Sequence, residues 1–216
     1  EKWKEITGHI LLERYGMSEV GMALSNPLLG ERRPGFVGVP LPSVDVRLVD
    51  EDDKKTLVPN GSPGEIQVQG PTVFLEYWNN PAGTFMAFKD GWFLTGDIAV
   101  FEDGSYRILG RDNVDIIKTG GFKVSALEIE DVLLTHPLVL ECAVFGRKDD
   151  SWGERVCAAV VLRSKSSITV KSLRDWARRY LAPYKLPMEV VVMKSLPRNA
   201  LGKVTKVDLI RELPSS

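Results

Sequence analysis

Two different periodicities of hydrophobic and polar residues divide the chain. Over residues ~36 to 109, the two kinds alternate in short runs such as Val44–Leu48 and Glu65–Gln69. This alternation has the period of a half-buried strand. Proline and glycine separate the runs, for example at Pro59–Gly61 and Pro63-Gly64, which is typical of turns. This stretch is therefore predicted to be a small β-rich unit.

The pattern becomes helical after about residue 111. Ser125 and Glu128 have the spacing of a capping box, and apolar residues follow at helical intervals as far as Pro137. Strand and helix then alternate, which predicts a compact α/β domain behind a boundary near Gly110-Arg111. The further elements predicted are strands at Leu140–Phe145, Val156–Leu162 and Met188–Met193, and helices at Leu173–Leu181 and from about Lys206 to Leu213.

Length and composition exclude several kinds of protein. The chain has 216 residues, 44% of them hydrophobic, which is enough for one domain or two modest ones. No apolar stretch approaches the ~20 residues of a membrane-spanning helix, and the first residues do not resemble a signal or transit peptide. A membrane-spanning or secreted protein is therefore not predicted. Because the first residue is Glu1, we expect it to lie within a longer protein.

Few residues are available for metal or triad chemistry. The two histidines, His9 and His136, leave little room for a zinc site, a Ser/His/Asp triad or a Cys/His pair. The two cysteines, Cys142 and Cys157, lie in apolar strand-like runs without CxxC spacing. We expect both to be buried, reduced core thiols.

Charge is distributed unevenly along the chain. Residues 1–110 hold 10 basic and 16 acidic residues, whereas residues 111–216 hold 18 and 13, which gives −6 and +5. The second half therefore favours an anionic ligand, although a solvated Lys/Arg face is the alternative. The net charge is only −1 and no basic stripe with interleaved aromatics exists, so nucleic-acid binding is not predicted.

The first of four chemical motifs is Tyr15-Gly16-Met17-Ser18-Glu19. An aromatic ring can stack on a purine, a hydroxyl can bind a phosphate oxygen, and a carboxylate oxygen is a ligand that Mg²⁺ prefers. The alternative is that Tyr15 belongs to the core and that Ser18 and Glu19 cap a helix.

The second motif, Thr95-Gly96-Asp97, delivers one carboxylate after an apolar run. A single Asp can accept hydrogen bonds from both hydroxyls of a ribose, and Arg111 is a natural partner for that ribose or for a phosphate. The alternative is a structural Gly-Asp turn.

The third and fourth motifs are loops that contain glycine. Lys118–Lys123 includes Gly120-Gly121, a pair that lets the backbone approach a ligand closely, but it is not a Walker loop. Leu196–Lys203 has Pro and Gly residues that shape a loop presenting Lys203. A turn before a helix and an ordinary surface lysine are the alternatives.

Taken in order, the four motifs resemble those of the adenylate-forming superfamily, which contains acyl-CoA synthetases, luciferases and peptide-synthetase adenylation domains. The resemblance covers nearly the whole chain. The segments ERYGMSEVGMALSNP, EYWNNP, VDIIKTGGFKVSALEIE and LAPYKLP look most like those of malonyl-CoA synthetases, including mitochondrial ones.

The resemblance implies roles for residues of the first two motifs. Tyr15 would stack on adenine, Ser18 would contact phosphate, and Glu19 would hold Mg²⁺. Asp97 and Arg111 would hold the ribose.

The resemblance also implies roles in the second half of the chain. Lys203 would reach the reacting carboxylate and the α-phosphate of ATP. The Gly120-Gly121 side, with Lys123, would replace Lys203 when the thiol of CoA approaches.

The fold implied by the resemblance is mixed α/β (α+β) with three parts. Residues 1–35 would end a large N-terminal α/β subdomain, residues 36–110 would form a small distorted β-barrel, and residues 111–216 would be a lid. The lid would rotate about a hinge at Asn113 or Val114, in a segment one residue longer than in most relatives. The phosphate loop and most of the acyl pocket would lie in the N-terminal part of the same enzyme, so the isolated chain is expected to be inactive.

The implied activity is that of an ATP-dependent acid:CoA ligase that uses Mg²⁺, with malonate as the predicted acid. The second carboxylate of malonate needs a further cation; Arg32 is a candidate, although arginines in the N-terminal part of the enzyme are favoured, and Met22 is a further predicted substrate contact. Two alternatives stay open, namely an adenylation domain that loads a carrier protein and a non-catalytic nucleotide-binding fragment. The mitochondrial matrix is the implied compartment, with the cytosol as the alternative.

Overall fold

The computed structural model describes residues 2–163 and 167–213. The expectation that Glu1 lies within a longer protein falls outside these described residues. The chain divides into two compact units, Glu1–Ile108 and Leu109–Ser216. The boundary predicted from the sequence after Gly110 lies two residues further along the chain. No helix formed by the described residues is long and apolar enough to span a bilayer.

The first unit consists mainly of strands, as its alternating pattern predicts. Its elements are α1 (Lys2–Thr7), β1 (Arg14–Met17), β2 (Gly21–Ser25), β3 (Val39–Pro40), β4 (Asp45–Val49), β5 (Gly64–Gln69), α2 (Pro81–Ala87), β6 (Phe88–Lys89), β7 (Trp92–Glu102) and β8 (Ser105–Arg111).

These strands form two sheets in the first unit. The smaller has the order β1-β2-β3, and the larger has the order β4-β5-β7-β6 with β8 also paired to β7. Among the described residues no strand pairing joins β4 to β6 or β8, so the predicted barrel is not closed. The reason is that β6 and β8 both use β7 as their partner, which leaves β4 at an edge.

A tight hairpin joins β7 to β8. Its two loop residues, Asp103 and Gly104, have φ values of 50° and 78°. Positive φ at both positions is the signature of a type I′ turn, whose twist matches that of the flanking strands. The Asp-Gly dipeptide therefore sets the register of this hairpin.

The second unit alternates strands and helices, and each helix and strand predicted there is present with small shifts of its ends. Its elements are β9 (Ile116–Thr119), β10 (Phe122–Ser125), α3 (Ala126–Leu134), β11 (Val139–Asp149), β12 (Gly153–Leu162), α4 (Val170–Ala177), a 3₁₀ turn (Pro183–Lys185), β13 (Glu189–Met193) and α5 (Lys206–Glu212).

The sheet of the second unit is buried on both faces along β12. The sheet order is β10-β9-β12-β11, and β13 pairs with β12 in parallel. On one face of β12, Val156, Ala158 and Val160 pack with apolar residues of α3 and α4. On the other face, Cys157 and Ala159 pack with residues that include those of α5. Because successive side chains point to opposite faces, this strand is apolar throughout.

The capping box predicted at the start of α3 is only half formed. Ser125 Oγ accepts a hydrogen bond from the Glu128 amide at 3.2 Å, as expected of an N-cap. The Glu128 carboxylate instead lies 2.6 Å from Lys185 Nζ. A reciprocal box does form at α4, between Thr169 and Ser172. The sequence did not reveal it because serine replaces the usual Glu or Gln at the third helical position.

The two cysteines are free thiols. Cys157 is buried, whereas Cys142 is half-buried and packs against the core beside α3 and α4. Burial, reinforced by the nearby Glu189 carboxylate, raises the pKa of Cys157 to about 12. Burial also raises the pKa of Cys142. Both environments disfavour the thiolate, which is the reactive form.

We therefore expect both thiols of the native chain to react slowly with Ellman's reagent. At about pH 8, the rate should be at least ~10²-fold lower than in concentrated guanidinium chloride, because the thiolate fraction is small and access is poor. Release of the coloured thiolate gives both rates. Equal rates in the native and unfolded states would contradict the burial of these thiols.

Candidate functional site

The first motif forms the hairpin of β1 and β2. Its turn spans residues 18–20 and is closed by the Val20 amide, which donates to the Met17 carbonyl at 3.1 Å. Ser18 and Glu19 therefore lie in a hairpin turn and do not cap a helix. Gly16 is required within this hairpin, because a Cβ there would lie 2.1 Å from the Gly21 carbonyl oxygen.

Tyr15 and Asp97 lie together although 82 positions separate them. The Tyr15 hydroxyl donates to Asp97 Oδ2 at 2.7 Å. Asp97 is only 6% exposed, so this charge-assisted bond stabilises a carboxylate that has lost most of its water. The structure thus brings the first two motifs into one cluster on the first unit.

A distortion of β7 determines where Asp97 lies. Between the pairs Glu65–Ile98 and Gln67–Leu94, β7 advances four residues while β5 advances two. Gly96 lies in this bulge with φ 70°, a conformation that glycine adopts at little cost. Gly96 therefore allows the bulge that changes the direction of β7 just before Asp97.

Glu19, the residue predicted to hold Mg²⁺, is positioned by a tyrosine that sequence reasoning missed. The Tyr77 hydroxyl donates to Glu19 Oε1 at 3.1 Å, and the Phe74 amide donates to the Glu19 carbonyl at 2.8 Å. The described residues contain no group of three or more His, Cys, Asp or Glu that could hold a metal ion. A single carboxylate still fits Mg²⁺, which is commonly bound by one or two carboxylates and by substrate phosphates.

The two residues predicted to contact the acid occupy different settings. Met22 lies on β2 opposite Gly16 and is 44% exposed. The Arg32 guanidinium donates to backbone carbonyl groups of the loops around it. These acceptors belong to Ile10, Pro27 and Leu28. Arg32 therefore holds these loops together, and its contact with a substrate carboxylate stays a prediction.

In the second unit, Gly120 and Gly121 form the turn of the β9–β10 hairpin. Their φ values are 56° and 81°, so both adopt conformations that favour glycine. A Cβ on Gly120 would lie 2.8 Å from the Trp152 ring, and the Gly120 amide donates to the Trp152 carbonyl at 2.9 Å. Trp152, which lies outside the motif, therefore sets the position of this turn. Lys123 lies on β10 opposite Lys118.

Lys203 is exposed on a loop that Asn199 organises. Asn199 Oδ1 accepts hydrogen bonds from the Leu201 and Lys203 amides, both at 3.0 Å. The Asn199 amide in turn donates to the Lys203 carbonyl at 2.9 Å, and the Gly202 amide donates to the Asn199 carbonyl at 2.9 Å. The backbone of Lys203 is thus fixed while its ammonium group reaches solvent.

An ion pair supports the same loop from outside. Arg198 pairs with Glu141 of β11, and its guanidinium also donates to the Gly202 carbonyl at 2.7 Å. Arg198 and Val204 form an antiparallel bridge that closes the loop at its base. The loop is therefore joined to the sheet of the second unit.

Arg111, predicted to contact the ribose or a phosphate, is the last residue of β8 and belongs to the second unit. Its amide donates to Asp115 Oδ2 at 3.1 Å, and its side chain is exposed. The structure gathers Tyr15, Asp97 and Glu19 on the first unit, and Arg111 and Lys203 on the second.

A fold of this kind, with an aromatic–carboxylate pair on one unit and a loop lysine on the other, has known counterparts. The family model for AMP-binding enzymes matches residues 1–78, and that for the AMP-binding enzyme C-terminal domain matches residues 128–203. The chain belongs to the AMP-binding enzyme family.

Its relatives include named malonate–CoA ligases. The mitochondrial malonate–CoA ligase ACSF3 of Bos taurus is 52% identical over 99% of this chain and 40% of its own length. The malonate–CoA ligase of Arabidopsis thaliana is 49% identical over 98% of this chain and 36% of its own length. ATP-bound MatB from Rhodopseudomonas palustris superposes with a TM-score of 0.86 at 41% identity, over 96% of this chain and 41% of that one. The chain thus spans about two fifths of the length of these proteins.

The Asn199 contacts predict how the Lys203 loop responds to substitution. Asn199→Ala removes the oxygen that accepts from the Leu201 and Lys203 amides, so we expect hydrogen exchange of these amides to accelerate about tenfold or more. NMR-detected exchange measures this effect. Asn199→Asp is the matched control, because it keeps an acceptor oxygen and should retain most of the protection. Unchanged exchange in Asn199→Ala would show that the side chain does not hold the loop.

Proposed function

We propose that this chain is the C-terminal portion of an ATP-dependent acid:CoA ligase whose acid is malonate. The enzyme converts malonate, ATP and CoA into malonyl-CoA, AMP and pyrophosphate. The observation that carries the proposal is the rigid presentation of Lys203 by a loop with a fixed backbone, in a chain that also holds the Tyr15–Asp97 pair. Its relatives named as malonate–CoA ligases support the choice of acid and thiol.

The first half-reaction requires cationic groups. A malonate carboxylate oxygen attacks the α-phosphorus of ATP, and the bond to pyrophosphate breaks. Both reactants are anions, so charge accumulates where they meet. The Lys203 ammonium stabilises this charge in the transition state. Bound Mg²⁺, held by Glu19 and by phosphate oxygens, would neutralise further phosphate charge.

The residues of the first unit bind and orient the nucleotide in this proposal. The Asp97 carboxylate accepts from ribose hydroxyls, and the Tyr15 ring offers its face to adenine while its hydroxyl stays on Asp97. The Ser18 hydroxyl, exposed in its turn, donates to a phosphate oxygen. Tyr77 holds the Glu19 carboxylate in place. Arg111 supplies a further cation for the ribose or a phosphate.

In the second half-reaction, the sulfur of CoA attacks the acyl carbon of the adenylate and AMP leaves. The phosphates of CoA are anionic, which agrees with the +5 balance of residues 111–216. The turn at Gly120-Gly121, with Lys123, is the element that approaches the thiol in this proposal. The hinge at Asn113 or Val114 stays a prediction.

The relatives also bear on the two alternative functions, a carrier-loading adenylation domain and a non-catalytic fragment, and on the cellular compartment. The similar proteins named as CoA ligases favour CoA over a carrier protein as the thiol. A nucleotide-binding fragment without turnover would not need a fixed lysine loop. Mitochondrial ACSF3 proteins among the relatives support the mitochondrial matrix, and the plant and bacterial relatives keep the cytosol as the alternative.

Lys203→Ala in the full-length protein tests the proposal. We expect malonate-dependent ATP–pyrophosphate exchange to fall on the order of 10²–10³-fold, because a cation aimed at the transition state is lost. Equilibrium binding of ATP should change little. Lys171→Ala, on an exposed part of α4, is the control and should leave the exchange rate unchanged.

Two results would contradict the proposal, one from that experiment and one from a comparison of acids with the wild-type enzyme and CoA. Equal exchange in wild type and Lys203→Ala would remove Lys203 from the chemistry. Faster formation of acetyl-CoA or octanoyl-CoA than of malonyl-CoA by the wild type would exclude malonate as the preferred acid.

The isolated chain of 216 residues is expected to show no ATP–pyrophosphate exchange. It spans about two fifths of its relatives, and the resemblance assigns the phosphate loop and most of the acyl pocket to the N-terminal part. Exchange above background, measured with radiolabelled pyrophosphate, would contradict this expectation. The full-length protein assayed in parallel serves as the control.

A further inference from the structure

A buried lysine lies at the start of α5, three residues after Lys203. Lys206 is 9% exposed, and its ammonium group lies between two carboxylates. Its Nζ is 2.6 Å from Asp115 Oδ1 and 2.7 Å from Glu130 Oε1. Lys206 thus joins α5 to the segment that follows β8 and to α3.

Both carboxylates are themselves fixed by backbone groups. Asp115 Oδ2 accepts from the Arg111 amide at 3.1 Å, and Glu130 Oε1 accepts from the Val144 amide at 2.7 Å. Burial raises the pKa of Glu130, and the charge of Lys206 opposes that effect. The ammonium group therefore keeps a partly dehydrated pair of carboxylates in place.

Asp115 is itself held by backbone hydrogen bonds in this structure. The Asp115 amide donates to the Arg111 carbonyl at 2.8 Å, and the Ala126 amide donates to the Asp115 carbonyl at 2.7 Å. Gly110 packs so closely that a Cβ there would lie 2.3 Å from Asp115 Cβ. Lys206 is consequently paired with a carboxylate whose own backbone is hydrogen-bonded.

The Lys203 loop is held at two ends by different means. On its N-terminal side, Arg198 pairs with Glu141 and binds the Gly202 carbonyl. On its C-terminal side, the Thr205 amide donates to the Pro197 carbonyl at 3.0 Å, and Lys206 follows directly. The residue next to this end, Lys206, is the one that pairs with Asp115 and Glu130.

Stability alone does not account for a cluster of this kind. Buried ion pairs can often be replaced by apolar residues of similar volume without loss of stability. In some proteins such pairs instead fix a specific register, because a displaced charge loses its partners. We propose that Lys206 is a positioning residue for Lys203. Through the Asp115 carboxylate, Lys206 fixes the Lys203 loop relative to Arg111. This inference rests on the function proposed above.

Lys206→Met in the full-length protein tests the inference. Methionine is unbranched and only one atom shorter than lysine, but it leaves Asp115 and Glu130 without their cation, so we expect the start of α5 and the Lys203 loop to move. A displacement of about 1 Å can cost on the order of 10²-fold in rate. We expect kcat of malonate-dependent pyrophosphate exchange to fall about tenfold to 10²-fold, with KM for ATP changed less than about threefold.

Two further variants separate positioning from stability. Lys206→Arg keeps the charge, and a neighbouring cavity of about 80 Å³ leaves room for the guanidinium, so it should restore most of kcat. Arg147→Met is the matched control, because Arg147 is a largely buried cation of β11 paired at 3.0 Å with Glu189 of β13. We expect Arg147→Met to lower the midpoint of thermal unfolding about as much as Lys206→Met does, and to leave kcat unchanged.

Amide hydrogen exchange of residues 199–205 provides a readout that does not depend on catalysis. Exchange there should accelerate about tenfold in Lys206→Met and stay unchanged in Arg147→Met. If Lys206→Met does not fold, Asp115→Asn is measured in the same way, because it preserves the shape of the side chain. It should also accelerate exchange of residues 199–205 and lower kcat, but by less.

The outcomes distinguish this inference from the proposed function. Normal kcat and normal loop exchange in a folded Lys206→Met or Asp115→Asn variant would overturn the positioning role. Equal losses of kcat in Lys206→Met and Arg147→Met would also overturn it, because general destabilisation would then suffice. Absence of pyrophosphate exchange in the wild type with any acid would refute the proposed function instead, and loop exchange alone would then decide whether Lys206 positions Lys203.

Discussion

The second unit is organised by the need to cover β12 on both faces. Every residue from Val156 to Val161 is buried, so helices must pack on each side of the sheet. α3 and α4 cover one face, and α5 with the apolar residues around it covers the other. The loop that carries Lys203 leads directly into α5. The position of the proposed catalytic lysine therefore follows from how the second face of this strand is buried.

Several groups that the proposal assigns to the site are held in place by neighbouring residues. Lys203 has its amide and carbonyl bound by Asn199 while its ammonium group reaches solvent. Glu19 is held by Tyr77, and the Gly120 turn is held by Trp152. Preorganised groups of this kind lose little entropy when a charged ligand arrives, which suits electrostatic stabilisation of a transition state. Tyr77 and Trp152 lie outside the motifs that they support, whereas Asn199 belongs to the same motif as Lys203.

Local pattern was sufficient to predict most elements of the second unit, because those helices and strands have a clear apolar period and defined ends, but it did not reveal the short strands β9 and β10. It was insufficient at α3, where Glu128 pairs with Lys185, 57 positions away, in place of completing a capping box. It also could not decide whether the strands of the first unit close, since closure depends on pairing between strands distant in sequence. Arg32 was predicted to be a candidate contact for a second carboxylate, and nothing in the sequence indicated that its guanidinium binds three backbone carbonyls.

The sequence by itself determined the family, the order of the four motifs and the residues that carry charge to the proposed site, because these are properties of residue type and spacing. Only the tertiary structure showed the Tyr15–Asp97 bond and the cluster of Lys206 with Asp115 and Glu130. The physical reason is that hydrogen bonds and ion pairs act over a few ångströms, whereas these partners are separated by 82, 91 and 76 positions. Folding alone brings them within that range.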